Sequence, residues 1–314
     1  MTTTIAESIT KAASKQTYYT IRLLVDRERI NDAYRSYAYF RWVDDSLDTE
    51  SITGAERSAF IQRQKSLLEK CCRDEIPQDV DIQEQMLVEL IQNDHEKNSA
   101  LRQAQDNGLQ SYIRNMMQVM DFDARRRGEL ITQAELNEYT RWLAVAVTDN
   151  LHHFIGHGEF APYDETRYMA VSAAHIVHML RDTFDDLQAG YYNIPREILD
   201  ANRISPQDVH SDAYRAWVKS RVRLAREYFE AGRNYFSRVQ NARCRLACFA
   251  YIARFDWLLD TFEREDYYLR PQYDERKSAT TGLRMGWLAL SSTFNLRGLS
   301  RHYPPVASQR LGKL

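Results

Sequence analysis

Apolar side chains recur at three- and four-residue intervals from Arg27 to Asp48, Ala55 to Cys72, Ser99 to Phe122, Glu135 to Ile155, Glu165 to Leu187, Pro206 to Val239 and Ala242 to Arg264. This spacing predicts long helices, each with one face turned inward. A final long helix is expected to start near Ala279. The pattern breaks where turn-forming residues gather, at SITG (51–54), RRRG (125–128), GHGEFAPYDE (156–165) and QAGYYNIP (188–195). None of these reads as an interdomain linker, and no unit repeats at a fixed period, so one domain spanning 1–314 is expected.

Composition narrows the fold class. The chain has only 11 Gly and 7 Pro against 19 Tyr, 12 Phe and 5 Trp, which favours long helices over a many-stranded sheet. The expected class is all-α. A formal net charge of −2 with no basic tail gives no reason to expect nucleic-acid binding. Cys71 and Cys72 are adjacent and Cys244 and Cys248 lie one turn apart, which is no disulfide framework and points to reduced thiols. The opening MTTTIAESITKAASKQTYY lacks the apolar core of a secretory signal, and no run reaches the roughly 18 apolar residues of a membrane span. A cytoplasmic protein, at most peripheral at a membrane, is expected.

The candidate chemistry lies in two acidic clusters. YFRWVDDSLD (39–48) and HMLRDTFDD (178–186) each end a mostly apolar helix, and each carries an arginine before its acids. Asp44 and Asp48 are four apart, as are Asp182 and Asp186, so each pair projects from one helical face with Cβ atoms roughly 6 Å apart. Like charges at that spacing, near a helix C-terminus, are unfavourable for the helix alone. On buried helices such acids need positive charge, and hard divalent cations supply it. Mg²⁺ takes one or two carboxylates and completes its shell with phosphate oxygens. Two facing acidic walls therefore suit a diphosphate bridged by Mg²⁺, or by Mn²⁺ in its place, with Arg41 and Arg181 donating to the remaining oxygens.

At these residues the chain resembles the squalene/phytoene synthase family of head-to-head prenyl diphosphate synthases. SKQTYYTIRLLV (14–25), YAYFRWVDDSLD (37–48), MDFDARRRGELITQAELNEYTRWLA (120–144), HMLRDTFDDLQAGYYNIP (178–195) and FEREDYYLR (262–270) resemble that family's patterns in order, over roughly residues 14 to 285. The resemblance implies an isoprenoid synthase fold around an apolar pocket, prenyl diphosphate substrates, and Asp44, Asp48, Asp182 and Asp186 as metal and diphosphate ligands. It implies Asp45 and Asp185 as supporting acids and Arg41 and Arg181 as diphosphate contacts. Tyr37, Tyr139 and Tyr267 match aromatic hydroxyls around the reacting carbons, and Tyr18 matches a channel position that is commonly Phe. The implied reaction ionises one allylic diphosphate, couples it to a second through a cyclopropylcarbinyl diphosphate, and ionises that intermediate in turn. No Rossmann fingerprint is present, although squalene-forming relatives bind NADPH without one.

The chain departs from the family pattern in the residues around the organic part of the substrate. Val145 and Thr148 stand where glycines are usual, which is expected to narrow the pocket. His175 and His178 replace two amides. A zinc site there lacks a third soft ligand; the pair is either bonded to Asp182 or diphosphate, or supplies a base for carbocation deprotonation. Tyr191 stands where a basic residue often follows the glycine, removing a phosphate contact. Arg125, Arg126 and Arg127 read as a solvated turn. With the ionisation residues complete and the pocket altered, a terpene cyclase or a prenyl diphosphatase acting on a single substrate is the alternative activity. A non-catalytic partner subunit is a further alternative, and the tail after Ala279 is a candidate membrane contact.

Overall fold

A computed structural model describes residues 2–49, 51–75, 77–98 and 108–273, with Gly286 and Thr293. Among them, twelve α-helices follow one another: α1 (Thr2–Ala13), α2 (Lys15–Leu24), α3 (Ile30–Leu47), α4 (Gly54–Cys72), α5 (Glu84–Asn98), α6 (Gly108–Arg126), α7 (Gln133–Phe154), α8 (Met169–Arg181), α9 (Thr183–Ala189), α10 (Arg196–Asn202), α11 (Asp212–Ser237) and α12 (Ala242–Arg264). The fold is all-α. No strand forms among the described residues, and an isolated parallel bridge pairs Leu130 with Tyr192.

Several helices extend the sequence reading. α1, α2, α5 and α10 were not expected, and the stretch expected to be one helix from Glu165 to Leu187 is two. α8 stops at Asp182, whose backbone (φ −93°, ψ 7°) leaves the helical region before α9 begins. The helix expected from Ala279 falls outside the described residues. Helix starts follow ordinary capping chemistry: Thr53 and Thr132 each accept from the backbone N–H three residues on, while Glu56 and Glu135 reach back to the cap, giving α4 and α7 reciprocal capping boxes.

One connected core runs from Ala6 to Leu269, with Tyr39, Phe229, Tyr235, Phe236, Phe255 and Phe262 fully enclosed. α8 is its centre. Its MAVSAAHIVHML sequence is almost wholly apolar and is buried nearly throughout. α7 packs against it on one side and α11 on another. Small residues set the α8–α11 approach: a Cβ on Gly232 would lie 2.5 Å from the Cβ and 2.9 Å from the Cα of Ala170. Backbone cannot rotate away as a side-chain tip can, so Gly232→Ala is expected to destabilise by about 1–3 kcal/mol, despite alanine's better helix propensity. Urea denaturation checks this, and Ala170→Gly in the same chain is expected to recover part of the loss. A neutral or stabilised Gly232→Ala protein would refute the close-packing account.

Two loops dock beside α8 and place the site. Gly190 ends α9 in the left-handed region (φ 86°), a conformation that costs glycine little. The chain then runs alongside the α6–α7 turn, where Gly128 N–H donates to Gly190 O (2.8 Å), Arg127 Nε to Ala189 O (3.0 Å) and Arg196 N–H to Ile131 O (2.8 Å).

Candidate active site

The first acidic wall is the end of α3. Asp48 caps the helix and Asp44 stands one turn earlier. Arg41 pairs with the Asp44 carboxylate at 3.3 Å and with Asp45, which is itself largely exposed. The second wall is the α8–α9 junction. Arg181 grips Asp182 with two donors, Nε to Oδ1 at 2.6 Å and Nη2 to Oδ2 at 2.5 Å. His178 Nδ1 lies 3.0 Å from the same guanidinium and 3.7 Å from Asp182. Each arginine thus leans on acids of its own wall. Asp185 is exposed.

The walls are joined through residues to which sequence reasoning gave other roles or none. Tyr191 O–H donates to Asp48 Oδ1 at 3.1 Å across 143 residues of chain. The Tyr191 ring lies 5.0 Å from the Arg126 guanidinium, which also stands 4.8 Å from the Tyr139 ring. Arg126 donates to Asp123 Oδ1 (2.6 Å) and to Asn193 Oδ1 (2.8 Å). Asn193 in turn donates to Asp186 Oδ2 (2.7 Å), and Tyr139 O–H to Asp123 Oδ2 (2.9 Å). A continuous set of contacts therefore runs from Asp48 to Asp186, centred on one guanidinium. This corrects one expectation. Arg126 is not part of a solvated turn but is only 9% exposed, because the docked loop after α9 covers it. Tyr191 contributes a hydroxyl to the first wall and an aromatic face to Arg126.

Burial and crowding set the charges. Burial, with repulsion from Asp48 and Asp123 outweighing the help of Arg41, pushes Asp44 up to about 7. Burial and repulsion from Asp182 and Asp123, against the relief from Arg126 and Asn193, likewise push Asp186 up to about 7. Asp182 behaves oppositely: burial alone would raise it, but hydrogen bonds from His178 and Arg181 and the charge of Arg181 outweigh burial and hold it at about 2. Burial keeps Asp123 above the usual carboxylate range despite Arg126. The site thus contains more acid than its own cations offset.

That excess bears on a metal. Among the described residues no three His, Cys, Asp or Glu side chains group closely enough to hold a metal ion by themselves. The acids stand instead as pairs on two walls, with Asp44 and Asp186 short of positive charge. Oxygen-only donors in twos fit a hard cation that takes its remaining ligands from phosphate and water. The residues present fit Mg²⁺ bound together with a diphosphate.

The other expected residues lie around this centre in different ways. Tyr37 is half-buried on α3; burial raises its hydroxyl, against hydrogen bonding to Ser14 and Thr17. Tyr139 and His175 are in ring contact at 5.0 Å. Val145 is half-buried on α7, while Thr148 is fully enclosed with its hydroxyl unpartnered among the described residues. Tyr18 is drawn to another network: its hydroxyl donates to Glu7 (3.2 Å) and accepts from Arg22 (2.9 Å), and its ring stacks on Tyr34. Tyr267 sits in a left-handed turn after α12 with Lys219 Nζ 5.3 Å over its ring. The structure does not bring these last two to the acids.

A helical fold with two aspartate pairs on facing elements is that of the class I terpenoid synthases. A squalene synthase, HpnC from Alicyclobacillus acidocaldarius, has a crystal structure that matches with a TM-score of 0.64 at 18% sequence identity, over 86% of this chain and 95% of that one, a likeness of fold. The squalene/phytoene synthase family model matches residues 10–281, and the chain belongs to that family. A comparison with curated proteins finds no match. The family implies head-to-head prenyl condensation and prenyl diphosphate substrates. No helix among the described residues is long and apolar enough to cross a membrane.

Proposed function

We propose that the protein is a Mg²⁺-dependent prenyltransferase that joins two allylic diphosphates, farnesyl or geranylgeranyl, head to head and releases diphosphate. The observation that carries this reading is the pair of acidic walls tied together through Arg126, with the acids crowded around Asp44 and Asp186 outweighing the charge that Arg41 and Arg126 offer them. Asp44, Asp48, Asp182 and Asp186 would hold Mg²⁺, which when bound would supply Lewis-acid stabilisation of the departing diphosphate. Arg41 and Arg181, when they turn from their own carboxylates, present paired donors to its free oxygens. Arg126 keeps the two walls in register and offsets the buried Asp123. The aromatic faces of Tyr139 and Tyr191 flank a cation already, and such faces stabilise a carbocation without capturing it.

Incubation of the purified protein with C10, C15 and C20 allylic diphosphates, with and without Mg²⁺, tests the proposal by mass spectrometry of the products. A C30 or C40 hydrocarbon, formed only with the metal, is the expected result. Asp48→Ala and Asp182→Ala are each expected to lose turnover while remaining folded. Volatile or alcohol products from a single diphosphate, first order in substrate, would replace coupling by cyclisation or hydrolysis. Binding without turnover would make the chain a partner subunit.

A further inference from the structure

The apolar body of α8 contains one polar side chain with an enclosed atom that nothing among the described residues engages. His175 is 7% exposed, and its Nε2 is enclosed with no hydrogen-bond partner among the described residues. Buried polar atoms in folded proteins are nearly always satisfied, so an unpaired one calls for a reason. An aliphatic residue would fill the same space with nothing to desolvate. The groups that face His175 are the Tyr139 ring from α7, Arg126 from α6, His178 from its own helix and Arg221 from α11. Every charged group among them is cationic or becomes so on protonation. Burial first, and then these groups, push His175 down to about 3, so the ring is neutral and keeps a lone pair. The tautomer assigned to the neutral ring has its lone pair on Nε2 and its proton on Nδ1, because an enclosed N–H without an acceptor is rarer than an unpaired acceptor.

We infer that His175 is the proton acceptor that ends the reaction. This rests on the condensation proposed above. After the second diphosphate leaves, the rearranged allylic cation gives up a proton, from a carbon of the newly formed central bond, to Nε2. The C–H electron pair becomes a C=C bond, and His175 then passes its proton to released diphosphate or to solvent. Nothing is reduced and no hydride donor is consumed, so the product is a polyene with a double bond at its centre, of the dehydrosqualene or phytoene type. A feeble base suffices because such a cation is a far stronger acid than an imidazolium. The surrounding cations also make the imidazolium short-lived, which returns the base for the next turnover. The amide usual at this position in the family pattern has comparable hydrogen-bonding capacity but does not accept the proton.

Product analysis of wild-type protein and His175→Gln, each with and without NADPH, tests the inference. The wild type is expected to make the centrally unsaturated product under both conditions. In His175→Gln the ratio of cyclopropylcarbinyl diphosphate and water-captured alcohols to polyene is expected to rise at least tenfold, with circular dichroism unchanged. An unchanged ratio, or diversion of the wild type by NADPH to a product saturated at its centre, overturns the role of His175. Should His175→Gln not fold, His175→Asn and a wild-type measurement take its place. With substrate stereospecifically deuterated at C1, a fixed base removes one of the two hydrogens only, and equal loss of both overturns it. Failure of the wild type to form any coupled product removes the condensation reading itself, an outcome distinct from coupling that is indifferent to His175.

Discussion

Replacing Arg126 with methionine is expected to destabilise the protein by about 3–5 kcal/mol, the usual consequence of leaving a buried charge without its partner, and to abolish turnover. Arg126 and Asp123 are both largely buried, with side chains 9% and 15% exposed. Methionine matches the length of the alkyl stem but removes the donors to Asp123 and Asn193 and the charge between the Tyr139 and Tyr191 rings. Asp123 then faces the acids of both walls without compensation. The double variant Arg126→Met/Asp123→Asn removes that orphan charge, so it is expected to regain more than half of the lost stability and none of the activity. Urea denaturation and turnover of the three proteins separate the two effects. A single variant that loses less than about 1 kcal/mol, the range of an exposed pair, and still turns over would show that the guanidinium does not join the walls.

The parts of this site that were legible in the sequence share one property: their partners are near in sequence. Asp44 with Asp48 and Asp182 with Asp186 are four apart, and Arg41 lies three and four residues before Asp44 and Asp45, so helical periodicity brings these together, while Arg181 is simply next to Asp182 in the chain. The pairs Tyr191–Asp48 and Arg126–Asn193 cross 143 and 67 residues. A run of three arginines before a glycine has the local character of a solvated turn, and only the docking of the loop after Gly190 encloses the middle one. The fold divides in the same way. Residues 242–264 form the helix expected because apolar spacing is clear there and Asn241 caps it. α5 was missed although Met86, Leu87, Leu90 and Ile91 are all buried, because charged residues crowd its second half and obscure the stripe. The stop at Asp182 has no glycine or proline to announce it. It places Asp182 where Arg181 takes it with two donors, a side-chain geometry that periodicity does not encode.

Asp44 and Asp186 are expected to respond to neutralisation oppositely to Asp182. Asp44→Asn and Asp186→Asn should each cut turnover by about 10²-fold or more, a Lewis-acid contact being worth several kcal/mol, yet raise the thermal stability of the metal-free protein. Both carboxyls titrate at about 7 in the fold and near 4 in the unfolded chain. The folded state therefore holds protons that the unfolded state has already released, and that advantage, complete below about pH 4, drains away as pH rises toward 7. The asparagine variants do not lose it. Their gain over wild type is expected to be negligible at pH 4, to grow up to pH 7 and to level off above. Added Mg²⁺ narrows the gap from the wild-type side, since it binds the ionised acids of the folded state. Asp182→Asn should do the reverse. Its carboxylate sits at about 2 in the fold, so its ionised form favours folding at every pH above about 4, and that contribution vanishes only as pH falls through 2. The asparagine variant is therefore expected to melt lower than wild type at neutral pH. Calorimetric scans between pH 5 and 8, without metal, decide the matter: three substitutions shifting stability in one direction would mean that crowding of negative charge does not govern this site.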